Sequence, residues 1–116
     1  MILSIYNTKC AISGIDIPEL LVASHILPWS INEKERLNPE NGICLSDLYG
    51  TAFDKGFITV DSEYNVLISN SLKEKAKEPF YYEYFGRFED KQINLPDRFL
   101  PKRGFIVFHN KEIFKM

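Results

Sequence analysis

Leu21-Val22-Ala23-Ser24-His25-Ile26-Leu27-Pro28-Trp29 is the stretch that decides the fold. Its apolar, β-branched run reads as a strand over 20–27, ended by Pro28, which has no N–H to continue a ladder. His25 is one of only two histidines in 116 residues. At a strand exit its ring is displayed, and histidine is the side-chain type suited to exchanging a proton near neutral pH. Trp29 reads as a core residue plugging the loop that follows.

That loop, 28–42, is long and mixed in charge. It carries Glu33-Lys34-Glu35-Arg36 and the breaker pair Asn38-Pro39, and it ends at Asn41-Gly42. Fifteen residues without an evident element are unusual in a small domain and point to function. A short strand at 43–45 pairs back to the first. Ser46 then stands as an N-cap with Asp47 in the first helical turn. The helix runs to about Asp54 and stops at Gly56. Asp54 is unfavourably placed for the helix dipole, which suggests a second role or a pairing with Lys55.

Outside this unit the punctuation is clear. A turn over 13–18 precedes the first strand, and 1–12 gives one strand or a short helix. Residues 57–60 and 66–68 form a hairpin around 61–65. A short helix covers 69–77. The aromatic run 80–85 fits strand or helix equally, because short apolar runs have no decisive period. Beyond Pro101, Phe105, Phe108 and Ile113 are spaced for an amphipathic helix over 102–114.

Composition bounds the rest. The chain has the length of one domain, 1–116, with 45% hydrophobic and 26% charged residues, as in ordinary globular proteins. No apolar run approaches the roughly 20 residues of a bilayer span, so no membrane association is expected. No secretory signal opens the chain, and two cysteines, Cys10 and Cys44, make no disulfide framework; a cytoplasmic setting is the expectation. The net charge of −2 argues weakly against a nucleic-acid partner. Its distribution softens that: five cations against Glu112 give 98–115 a local +4, leaving −6 on the remainder. This segment is either a solvated helix face or a phosphate-contacting tail.

The order of strand histidine, loop asparagine and helix carboxylate resembles the HNH family of metal-dependent nucleases. The matching branch reads C-x-x-(T/S)-G, A-S-H-I-x-P-W, E-R-L-x-P-x-N-G, L-S and F-D-x-G. These stand here at 10–14, 23–29, 35–42, 45–46 and 53–56. The resemblance implies an α+β fold: a ββα-metal hairpin–helix core over about 10–60, with an additional hairpin and C-terminal helical segments. It implies hydrolysis of DNA phosphodiester bonds, with His25 as general base, Asn41 holding the loop, and Asp54 a ligand of one weakly bound divalent ion, Mg²⁺ or Mn²⁺.

Two departures bear on activity. One turn before Asp54, where relatives carry a second ligand on the same helix face, this chain has Gly50; beside it, Tyr49 replaces a common histidine. Asp47 is no substitute, lying about 10 Å from Asp54 along the helix. Ser24 stands where other branches place an Asp or His ligand. On this reading Gly50→Asp would restore a ligand. Two thiols cannot complete a four-ligand centre, so no structural zinc is expected. Two rivals remain open. One is a catalytically degenerate module of the same fold that binds DNA or a protein partner without cleavage. The other is a purely structural assembly domain using 80–88 as a homodimer face; separately, further domains of a longer protein are left open.

Overall fold

The computed structural model describes residues 2–28 and 33–115; Trp29, read above as core, lies outside them. The chain enters through one helical turn, α1 (Ile2–Ile5). Strand β1 (Leu21–His25) then pairs antiparallel with β2 (Gly42–Ser46), with Leu21 opposite Ser46 and His25 opposite Gly42. β1 is shorter than the expected 20–27 because Asn41 takes over its last ladder positions. The Ile26 N–H donates to the Asn41 carbonyl at 2.9 Å, and the Leu27 N–H to Asn41 Oδ1 at 2.8 Å.

The long connection between the strands contains two 3₁₀ turns, Glu33–Glu35 and Pro39–Asn41. Asn38 caps the second, its Oδ1 accepting the Glu40 N–H at 2.9 Å. Helix α2 (Asp47–Asp54) follows β2 without a spacer. Ser46 occupies the N-cap position in extended conformation, but its buried side chain makes no capping hydrogen bond. Gly56, at φ +80°, turns the chain out of the helix; a Cβ there would collide with the Ile113 carbonyl oxygen.

The expected second hairpin forms from β3 (Ile58–Val60) and β4 (Val66–Ile68). Asp61 shapes its turn, Oδ1 accepting the N–H groups of Glu63 and Asn65 at 2.8 and 3.0 Å. α3 (Asn70–Lys73) is shorter than the expected 69–77 and is capped by Ser69, whose Oγ accepts the Leu72 N–H. The aromatic run resolves as helix α4 (Pro79–Tyr84), opened by Pro79. Its Tyr81 turns inward with the following Phe85, while Phe80, Tyr82 and Tyr84 are exposed. Tyr49 of α2 meets Phe85 and Phe88 edge-on, at 5.9 and 5.8 Å between ring centroids.

The C-terminal segment is α5 (Arg103–Phe108), continued by a π-helical turn, His109–Ile113. Its cations are used locally rather than presented as one bare stripe. Arg98, Lys102, Arg103 and Lys115 each lie over an aromatic ring, those of Phe99, Phe105, Tyr64 and Phe57. The buried apolar side chains form one cluster that runs from Cys10 and Cys44 to Phe105 and Ile106. Both thiols are free and buried; burial, then the neighbouring Cys10, pushes the Cys44 thiol up to about 11. Among the described residues, no helix is long and apolar enough to cross a membrane.

Candidate active site

His25 is the last residue of β1 and is half-buried. Its Nε2 lies 3.0 Å from the carbonyl oxygen of Arg36, in the loop. A carbonyl only accepts, so Nε2 carries the proton in the neutral ring and Nδ1 keeps a lone pair. The loop thereby fixes both the tautomer and the ring direction.

Asn41 ties the described part of that loop to the backbone just beyond β1. It is fully buried, and every side-chain polar atom is used: Oδ1 accepts from the Leu27 N–H, while Nδ2 donates to the carbonyls of Leu27 and Glu35, each at 3.2 Å. Glu35 adjoins Arg36, so Asn41 holds the residue beside the one that anchors His25. It stands behind the histidine rather than in the open site.

Asp54 ends α2 and shares with His25 a cavity of about 320 Å³. Ser24, Pro28, His109 and Ile113 also line it. Burial raises the Asp54 carboxyl pKa, and electrostatic interaction with the neighbouring His25 and Lys55 acts in the opposite direction. The two sequence candidates thus sense one another across one cleft. Lys55 biases Asp54 electrostatically; among the described residues the salt bridge formed is Lys73–Glu89, far along the chain.

The helix positions that lack ligands are closed in different ways. Tyr49 is buried in the aromatic cluster with Phe85 and Phe88. Gly50 faces β1 so closely that a Cβ would lie 2.9 Å from Val22 Cγ2 and 3.0 Å from Ser24 Oγ. The expectation that Gly50→Asp restores a ligand therefore needs correcting. The helix has settled onto the strand, and a larger side chain has to push the two apart. Ser24 Oγ, pressed against Gly50, is the buried side-chain polar atom recorded without a hydrogen-bond partner among the described residues.

His109 is the residue that sequence reasoning missed. It is 1% exposed and stacks on Phe53, with ring centroids 3.8 Å apart and planes 11° from parallel. Its Nε2–H donates to the Phe53 carbonyl at 2.9 Å, and its Nδ1 accepts from Thr59 Oγ1 at 2.7 Å. Both nitrogens are committed, so His109 lines the cleft without offering a ligand or a base. Burial lowers its pKa to about 4, with the Phe53 hydrogen bond opposing. Its spacing from Phe105 and Ile113 on the apolar helix face was the available signal.

Among the described residues, no group of three or more His, Cys, Asp or Glu side chains could hold a metal ion. A divalent ion of the Mg²⁺ type needs less, being commonly held by one or two carboxylates together with water and substrate phosphate. Asp54, partly enclosed and without a salt bridge among the described residues, meets that minimum as a single anchor.

A two-stranded hairpin feeds a short helix, with an imidazole at the strand end and a carboxylate at the helix end, which is a ββα arrangement. The family model described as HNH endonuclease matches residues 10–61, which hold His25, Asn41 and Asp54, so this segment is similar to that family. Its members are nucleases. No curated protein matches the sequence.

Proposed function

We propose that this chain, acting as one domain, hydrolyses DNA phosphodiester bonds in the cleft between β1 and α2. The observation that carries the reading is the shared cavity of His25 and Asp54, with His25 Nε2 tied to the Arg36 carbonyl. Nδ1 of His25 takes a proton from water as the oxygen attacks phosphorus. The bond from phosphorus to the 3′ oxygen breaks, and that oxygen takes a proton from solvent. The imidazolium then returns its proton to solvent. Asp54 is the residue that would hold a divalent ion, which would supply charge neutralisation at the phosphate and at the leaving oxygen. Asn41 contributes by keeping the Arg36 carbonyl and the ring in register.

A plasmid-nicking assay with Mg²⁺ or Mn²⁺ tests this. Cleavage by the wild-type chain, reduced 10²–10⁴-fold by His25→Ala with the fold retained, is expected for loss of a general base. Cleavage indifferent to His25→Ala would assign the water's activation to another group.

One observation favours a second reading. The Gly50–Ser24 contact leaves the helix face with Asp54 as its single cleft carboxylate. In this reading the chain is a degenerate HNH-fold module that grips DNA or a protein without cutting. The same assay separates the two: intact plasmid with a retarded gel band supports binding alone.

A further inference from the structure

We propose that His109 is a positioning residue for Asp54, and that residues 109–115 form a working wall of the cleft. The inference rests on the nuclease reading above and extends the site beyond the family segment at 10–61. A helix leaves its last carbonyls without intrahelical partners. At the end of α2 the Phe53 carbonyl accepts the Gly56 N–H at 3.2 Å and, as its shorter bond, the His109 Nε2–H at 2.9 Å. Phe53 and Asp54 share that peptide, so the imidazole holds the plane from which the Asp54 side chain leaves.

The ring is held in turn. Thr59 Oγ1 sits 2.7 Å from Nδ1, and Asn110 Nδ2 donates to both Thr59 Oγ1 and the Val60 carbonyl, at 3.0 and 2.9 Å. The Phe53–Asp54 peptide is thereby tied through one buried ring to β3. Downstream, the Lys115 N–H donates to the Gly56 carbonyl at 2.8 Å, and Ile113 lines the cavity beside Asp54. A site with one carboxylate anchor depends on how that carboxylate is aimed, because no second side chain can correct it. Groups that orient a ligand commonly change metal affinity by 10–100-fold.

The test compares wild type, Asp54→Ala, His109→Phe, His109→Gln and Thr59→Val. Mn²⁺ affinity is read by calorimetry, nicking in parallel, and folding by circular dichroism. His109→Phe keeps the stack on Phe53 and loses both hydrogen bonds; it is expected to fold and to bind Mn²⁺ about tenfold more weakly. His109→Gln, whose amide N–H can reach the Phe53 carbonyl, is expected to recover most of the loss. If His109→Phe does not fold, Thr59→Val, which keeps the volume and frees Nδ1, is expected to show a smaller loss in the same direction. Wild-type affinity in a folded His109→Phe or Thr59→Val chain, or equal loss in Phe and Gln variants, overturns the positioning role and leaves the nuclease reading standing. A wild-type chain that neither binds Mn²⁺ nor nicks DNA overturns both.

Discussion

Gly50 and Ser24 meet face to face across the α2–β1 contact, with 3.0 Å between Ser24 Oγ and the place a Cβ would take on Gly50. In a solvent-exposed helix, Gly→Ala stabilises by about 1 kcal/mol. Here the added carbon also comes within 2.9 Å of Val22 Cγ2, whose β-branched side chain has little freedom to withdraw. We expect Gly50→Ala to destabilise the fold by about 1–3 kcal/mol through overpacking. Urea unfolding reads it, and the penalty should shrink in a Val22→Ala background. A more stable Gly50→Ala chain would show that the helix and strand can separate freely.

Ser24 carries the complementary prediction. Its buried hydroxyl has no recorded partner, so removing it exposes no other group to an unmade hydrogen bond. Ser24→Ala should leave stability unchanged or raise it by up to about 1 kcal/mol, the release of an unsatisfied polar group. A loss above that range in urea unfolding would reveal a partner for the hydroxyl, such as a bound water.

Asn41 should behave in the opposite manner. Replacing it by alanine orphans the Leu27 N–H and two carbonyls in a fully buried site. Each buried group so stranded costs about 1–3 kcal/mol, giving a loss of roughly 2–5 kcal/mol after relaxation. The ring of His25 should also lose its fixed setting, visible as a shift and broadening of its imidazole NMR signals under conditions where the variant is folded. A variant as stable as the parent would mean that Asn41 does not hold the loop.

The punctuation of the sequence made this unit readable. Pro28, Ser46, Gly56 and the Asp61 turn bound the elements, and an alternating apolar pattern supplies β1 and the second hairpin. Three features were not readable. Helix α4 is built from aromatic residues whose run is too short to show a period, and Pro79 decides it. The closeness of Gly50 to Ser24 is a packing outcome that local preference does not encode. The His109–Phe53 bond joins residues 56 apart in sequence, so neither partner's neighbourhood announces the other. In the candidate site, the sequence singles out His25, Asn41 and Asp54; that the Asn41 side chain is spent on the Leu27 and Glu35 backbone behind the histidine is a packing outcome that no local pattern encodes.

The burial of His109 makes stability depend on pH. In the unfolded chain a histidine titrates near 6.5, whereas burial lowers the folded value to about 4. The unfolded chain therefore holds the extra proton between these values, and stability rises with pH across that window. The contribution is complete above about pH 6.5 and is lost progressively as pH falls toward 4; a gap of this size corresponds to on the order of 3 kcal/mol. Asp54 works the other way, since its raised carboxyl favours the folded state at acid pH and withdraws that support as pH rises through its folded value. The comparison that isolates His109 is wild type against His109→Gln, with chemical unfolding measured from pH 8 to pH 4. Asp54 is common to both chains, so the difference between their curves belongs to the imidazole. Wild type should lose stability more steeply than the Gln variant between pH 6.5 and 4, with parallel curves above. Parallel curves throughout would mean that His109 takes up its proton equally in the folded and unfolded chain, so that burial does not lower its pKa.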